Sequence, residues 1–203
     1  YAELIKDITG DNKVKREEQL DVIIDEAKRL TELVNEILVV SQQNSTSKLN
    51  KTDFDFSELV ESVVKKFDFD NSGYNFRRDV KKGLWVNADR HKIEQVLFNF
   101  ISNAVKYCGK DKEIIIVVKE AGGSARFDVF DHGNGISKQE QKYIWDRFSR
   151  ASQKYKRGDS TGLGLSIVRS ILKSHDAVFG VNSAVGKGSD FYFELPLVEP
   201  PQN

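Results

Sequence analysis

The sequence predicts an α+β fold: a two-layer sandwich whose mixed sheet is covered by helices on one face, preceded by a truncated helical hairpin. Three observations predict it. From Leu20 the apolar residues Leu20, Ile23, Ala27, Leu30, Val34 and Ile37 recur at alternating steps of three and four, a heptad seam that calls for helical partners. Beyond Lys51, strand-like runs interleave with amphipathic helical runs. Strands joined by tight turns, such as Gly122-Gly123, pair as hairpins, so the sheet is mixed and not purely parallel.

Ile24, Leu33 and Leu38 widen the heptad seam, which suits a bundle better than a strict two-stranded coil. Glu26, Lys28, Arg29, Glu32 and Glu36 lie off it as a solvated face. The Tyr1 to Ile8 segment, with Leu4, Ile5 and Ile8, is expected to pack antiparallel across the polar turn "TGDNK". Two copies of so thin a hairpin would make a four-helix bundle. "SQQNSTSKLNK" reads as a linker or a fraying helix end, which divides the chain into residues 1–50, the hairpin remnant, and residues 51–203, a globular domain.

In that domain "DFSELVESVVKKF" is an amphipathic helix with Leu59, Val60, Val63, Val64 and Phe67 inward. "GLWVNAD" is a short strand entering a helix from about Asp89 to Tyr107, whose apolar face is Ile93, Val96, Leu97, Phe100, Ile101, Ala104 and Val105. "KEIIIVVKE" and "ARFDVFD" are consecutive strands, "SKQEQKYIWDRF" a helix, and "SDFYFELP" a closing strand. A polar stretch from Ser149 to Thr161 precedes the last helix.

Composition narrows the function. Acidic and basic residues balance at 31 each, so no global field favours nucleic acid or anionic lipid. The single cysteine, Cys108, excludes an internal disulfide and reads as a small packed residue in a reducing compartment. No apolar run approaches the ~20 residues needed to cross a bilayer. The chain contains no methionine and opens inside an amphipathic pattern, so it reads as an excised, soluble, cytoplasmic piece of a longer protein.

"STGLGLSIVRSIL" poses the chemical question, because Gly162 and Gly164 stand where a helix begins, although glycine costs a helix interior roughly 1 kcal/mol relative to alanine. A helix N-terminus with free N–H groups and small residues suits a phosphate. A dinucleotide fingerprint would need a small residue where Ile167 stands, and neither "CGKDK" nor "VGKGSD" supplies a P-loop, so any phosphate sits in another fold. In "ARFDVFDHGNGIS", Asp131 ends an apolar strand beside Gly133 and Gly135; it can accept hydrogen bonds from an exocyclic amine, or simply close an Asx turn. Asn99, Asn103 and Lys106 share one helical stripe, which can hold a metal-bound polyphosphate or be an ordinary polar edge.

Asn99, Asn103, Lys106 and Tyr107, then "DHGNGI", "IWDRFSRA", "TGLGLSIV" and "GKGSDFYFELP", occur in this order over most of the chain. In this the sequence resembles the catalytic ATP-binding domain of two-component sensor histidine kinases, within the broader family of gyrase-type and heat-shock-chaperone-type ATPases. The match spans roughly Lys51 to Pro196, and the Leu20 to Gln42 helix resembles the second helix of the family's dimerisation and phosphotransfer hairpin. The resemblance implies a Bergerat-type fold and the cofactors ATP and Mg²⁺. It makes Asn103 the metal ligand and Asn99, Lys106 and Tyr107 phosphate and ribose contacts. Asp131 becomes the adenine-binding carboxylate, with Gly133, Gly135 and Ile136 shaping the base pocket. Phe148 and Arg150 resemble an aromatic box and a lid arginine reaching the terminal phosphate. Thr161, Gly162, Leu163, Gly164 and Leu165 match a second glycine box, with Ser149 to Thr161 as a mobile lid. Ser189 stands where threonine is usual and keeps the hydroxyl expected to support Asp131.

Asp159 and Ser160 replace further glycines of the lid, and Asp176 and Ala177 a common glycine pair. The family's phosphoacceptor run, S-H-E-x-x-x-P, is absent, and His91, His132 and His175 read as structural or incidental. The fragment is therefore expected to bind ATP without phosphorylating itself. In the whole protein the resemblance implies transfer of the γ-phosphate to a histidine and onward to a response regulator aspartate. Asn99, Lys106 and Arg150 would assist that transfer, in a homodimer formed through the hairpin and carried by a membrane-anchored sensor. An amide at Asn99 cannot take a proton from water, so slow ATP hydrolysis is expected. The rival readings are an ATPase of the same superfamily, an idle dimerising scaffold, and a serine kinase of the same fold.

Overall fold

The computed structural model describes residues 14–20, 22, 23, 26, 49–70, 73–146 and 163–201. The chain divides into two compact units, Tyr1–Ser47 and Lys48–Asn203. In the first, residues 14–20 are helical, so the helix starts ahead of the apolar seam expected from Leu20. Leu20 itself is 42% exposed. The remaining hairpin positions, apart from Val22, Ile23 and Glu26, lie outside the described residues.

The second unit runs β1 (Thr52–Asp55), α1 (Phe56–Asp70), β2 (Asn75–Val80), β3 (Trp85–Ala88), α2 (Arg90–Tyr107), β4 (Glu113–Ala121), β5 (Ser124–Asp131), a 3₁₀ turn (Glu140–Lys142), α3 (Gly164–Ser174), β6 (Val178–Ser183) and β7 (Ser189–Pro196). β1 and β3 pair antiparallel, while the main sheet has the order β2-β4-β5-β7-β6. β2 and β4 are parallel because the chain between them returns over the sheet through α2. The other pairs are antiparallel, with β4 and β5 joined at Gly122-Gly123. The mixed sheet is the one predicted.

Alternation along β5 and β7 sends Ala125, Phe127 and Val129, with Phe191, Phe193 and Leu195, to the helix-covered face. There they meet Phe56 and Phe100; the Phe56 and Phe193 rings pack edge-on at 5.7 Å, and Phe100 lies 5.4 Å from Phe191. Side chains of this size each contribute about 1.5–3 kcal/mol when taken from water. On α2 the buried residues are Ile93, Val96, Leu97, Phe100, Ile101 and Ala104, the expected stripe with Val105 at its margin. Asp89 caps this helix by accepting a hydrogen bond from the Lys92 N–H at 3.2 Å.

Two expectations need correction. "SKQEQKYIWDRF" is not a regular helix over its described part: Glu140–Lys142 forms a 3₁₀ segment flanked by turns, and Ile144 and Trp145 pack inward after it. Trp145 lies 5.1 Å from Phe179 and 6.4 Å from Phe100, so tertiary anchoring outweighs local helix propensity. β1, β2 and β6 were not anticipated. β2, "NFRRDV", is half charged and survives as an edge strand, where outward charge is tolerated.

Candidate functional site

Asn99 and Asn103 are one turn apart on α2 and partly buried; Lys106 and Tyr107 are exposed in the last turn, the Lys106 ammonium 5.7 Å from the Tyr107 ring centre. Asn99 donates its Nδ2 to the Gln95 carbonyl at 2.8 Å, which fixes the amide and aims Oδ1 away from its own helix. That oxygen faces the start of α3. A Cβ added to Gly164 would lie 2.7 Å from it, so glycine is what lets the two helices meet here. The second glycine of the box thus has a packing reason besides any ligand.

Asp131 closes β5 and is 6% exposed. Its Oδ1 accepts the Gly133 N–H at 2.8 Å, and the Ser189 backbone N–H also supports the carboxylate. Burial nevertheless pushes its carboxyl above the ordinary range, because two neutral donors do not replace lost hydration. The Ser189 hydroxyl, expected to support Asp131, lies instead 3.1 Å from the Ser183 hydroxyl. Gly133 packs directly against the Tyr107 carbonyl, leaving no room for a side chain. Through that contact and the one at Gly164, Asp131, Asn99 and the α3 N-terminus are assembled around a single helix.

The loop after Asp131 is tied down by residues the sequence reading did not single out. Ser183 Oγ accepts the Ile136 N–H at 2.8 Å and donates to the Gly188 carbonyl at 2.7 Å. Gln141 donates its amide to the carbonyls of Ile136 and Ser183, both at 2.8 Å. Gly135 takes φ +68° within this loop. A serine and a glutamine in polar segments carry no periodic signal, which is why they were missed.

α3 begins without a side-chain cap at Leu163, which is buried, while Leu165 is partly buried. An uncapped N-terminus beside an amide oxygen suits an anion with a bound cation. Phe148, Arg150, Thr161, Gly162 and the expected lid from Ser149 to Thr161 lie outside the described residues.

The histidines divide by environment. His91 is exposed. His175 is buried at the end of α3: its Nδ1 donates to the Ile171 carbonyl at 2.8 Å and its Nε2 accepts the Asp89 N–H at 3.0 Å. Burial pushes its pKa down, as its fully engaged neutral ring requires. His132 is half exposed and hydrogen-bonds Asp111. Cys108 ends α2, and burial pushes its thiol up, which disfavours a nucleophilic thiolate.

Residues 88–199 match the family described as "Histidine kinase-, DNA gyrase B-, and HSP90-like ATPase". The chain is 32% identical over 185 residues to the signal transduction histidine-protein kinase ArlS of Staphylococcus epidermidis, covering 90% of this chain and 41% of that protein. It is 34% identical over 206 residues to the sensor protein SrrB of Staphylococcus aureus, covering 98% of this chain and 35% of that one. It thus spans well under half the length of these relatives. Among solved structures, the histidine kinase ThkA in complex with the response regulator protein TrrA aligns over 93% of this chain and 52% of that one, with TM-score 0.68 and 28% identity. Full-length ShkA in complex with AMPPNP aligns over 93% of this chain and 40% of that one, with TM-score 0.75 and 24% identity, a likeness of fold. With its mixed sheet, its Asp131 loop and more than half its length inside the matched region, the chain belongs to the histidine kinase-, gyrase- and HSP90-like ATPase family.

Proposed function

We propose that this chain is the ATP-binding catalytic part of a sensor histidine kinase, residues 51–203 forming the catalytic domain and residues 1–50 the remnant of a dimerising hairpin. One observation carries the reading: Asp131, a buried carboxylate held by the backbone N–H groups of Gly133 and Ser189, stands at the end of β5 beside a backbone too close-packed for side chains. Such a group offers an adenine amino group a strong acceptor. Gly133, Gly135 and Ile136 shape the wall around it.

Asn103 would present its amide oxygen to Mg²⁺, a hard ligand for a hard ion, with Asn99 a phosphate contact beside it. The ion, when bound, supplies charge neutralisation on the phosphates. The Gly164 start of α3 directs N–H groups at the same region, with Leu163 and Leu165 anchoring the turn. Lys106 and Tyr107 flank it, and Phe148, Arg150, Thr161 and Gly162 complete the set. The nucleophile is a histidine outside this chain, and a response regulator aspartate receives the phosphoryl group. Asn99 has no basic atom with which to activate water, so hydrolysis in the absence of that histidine is slow. The homodimer and the membrane-anchored sensor follow from the same reading; among the described residues no helix is long and apolar enough to cross a membrane.

Calorimetric titration with Mg-ATP tests the reading. Saturable binding that is markedly weakened in Asp131→Asn is expected; no binding by the unaltered chain would overturn it in favour of an idle scaffold. Rapid turnover of ATP by the chain alone would point to an ATPase.

A further inference from the structure

On the residue after Asp131 and in the turn entering β4, three side chains of metal-ligating type converge on one point. His132 Nδ1 lies 2.6 Å from Asp111 Oδ2 and 3.8 Å from Glu113 Oε2. One ligand atom from each of the three lies within 4.8 Å of the others. They come from two segments, the turn entering β4 and the residue after Asp131.

The orientation of the carboxylates is what distinguishes this cluster from acids that merely share a surface. Asp111 uses Oδ1 to accept the Glu113 N–H at 3.3 Å and turns Oδ2 to the imidazole. Glu113, the first residue of β4, has Oε1 within 3.5 Å of both the Asn75 amide and the Arg77 guanidinium, and turns Oε2 to the imidazole. Each carboxylate therefore has one oxygen engaged by the protein and the other facing the same nitrogen. Outer partners arranged this way orient the ligands of metal sites. His132 is placed by its backbone, since its carbonyl packs against Gly109.

We propose that Asp111, Glu113 and His132 bind a divalent transition-metal ion of the zinc and cobalt class, at a site distinct from the Asn103 position assigned to Mg²⁺. Imidazole with two carboxylates selects such ions over Mg²⁺ or Ca²⁺, which prefer all-oxygen shells. Ligand atoms around a metal at about 2.0–2.2 Å stand roughly 3.0–3.4 Å apart in octahedral or tetrahedral geometry. The two spacings to His132, 2.6 and 3.8 Å, bracket that range, and the carboxylate oxygens lie within 4.8 Å of one another, so movement of partly exposed side chains closes the set on an ion. The Nδ1 proton that now bridges to Asp111 moves to Nε2, leaving the neutral ring and two carboxylates with a charge of −2 for the dication. Arg77 reduces that charge only from the far oxygen of Glu113. Waters fill the remaining coordination positions.

Calorimetric titration of Zn²⁺ into the tag-free chain, without nucleotide, tests the proposal independently of ATP binding. One equivalent should bind, and Zn²⁺ should raise Tm by mass action. His132→Gln and Asp111→Asn should each weaken binding by at least the roughly 10–100-fold that loss of even an outer-shell partner costs. His91→Gln should bind as the unaltered chain does. No saturable binding, binding that survives His132→Gln, or binding that disappears in His91→Gln would overturn it.

Discussion

Asp128 and Asp131 stand three residues apart on β5, point to opposite faces of the sheet and are almost equally buried, at 2% and 6% exposure. The chain treats them differently. Arg126 donates to Asp128 through Nε at 2.8 Å and a terminal nitrogen at 2.7 Å, and reaches Glu194 at 2.9 Å. Its guanidinium also lies 4.1 Å from the Tyr192 ring centre, and Lys119 approaches Asp128 at 3.8 Å. Asp131 receives backbone N–H groups, and among the described residues it forms no ion pair. One carboxylate is neutralised from within; the other is met by backbone N–H groups, as the proposed adenine contact requires. Burial alone does not mark a binding group; the proposed adenine contact rests on a buried carboxylate that receives backbone N–H groups and lies beside a close-packed backbone.

The largest effect is expected from Arg126→Ala, which removes the hydrogen-bonded cation of the internally neutralised side and leaves Asp128 only Lys119 at 3.8 Å among the described residues. Breaking a buried pair from one end costs about 3–5 kcal/mol. Urea denaturation should show this loss while Mg-ATP affinity stays unchanged. An unaltered midpoint would mean that Asp128 rehydrates freely, and the contrast between the two acids would fail.

Asp131→Asn should do the reverse. Burial places the folded-state pKa of Asp131 above its ordinary 3.8, so the ionised group opposes folding once pH has risen through the folded value. Removing the charge should raise Tm at neutral pH, while nucleotide affinity falls by about 10–150-fold, the equivalent of ~1.5–3 kcal/mol for a hydrogen bond to a charged group. A fall in both would show that Asp131 is structural after all.

Asp190 sharpens the contrast as an intermediate case. It shares the open face with Asp128; Oδ2 accepts the Asn182 amide at 3.0 Å, whereas Oδ1 is buried without a hydrogen bond. Burial pushes its carboxyl up as well, aided by repulsion from Asp128. Asp190→Asn is expected to gain about 1 kcal/mol, or ~2–4 °C in Tm for a chain of this size, with no change in nucleotide affinity. A loss of affinity would move the functional side of the sheet.

The smallest effect belongs to pH. His175 has a folded-state pKa below its ordinary 6.5, so its contribution is whole above that value and declines as pH falls beneath it, where the unfolded chain gains the proton first. Scans at pH 7.5 and 5.5 should show a lower Tm at the acid value, and His175→Gln should flatten the difference. A slope unchanged by the substitution would locate it in other groups.

Much of this was legible in the sequence because the α2 stripe and the β4, β5 and β7 runs have clean periods, and Asp131 precedes a glycine-rich turn that gives its position away. β2 and β6 were not, since edge strands carry few apolar residues and their pairing is decided by neighbours. The role of Ser183 was equally hidden, because it is set by register with Ser189 across the β6 and β7 pair. Asp176 was noted as replacing a glycine, and it takes the left-handed conformation at φ +55° that such a residue would have adopted. Its exposed side chain gave no other hint.

Helices α2 and α3 also act as a brace with a pin at each end. At one, Asn99 abuts Gly164; at the other, His175 accepts the N–H of Asp89, whose carboxylate in turn accepts the N–H of Asn50 at 3.1 Å. A load applied at Asn50 therefore bears first on the Asp89 cap and then, through His175, on the far end of α3, the helix whose beginning stands against Asn99. Strain entering at Asn50 and contacts made at Asn99 therefore meet on one short helix, α3, outside the sheet.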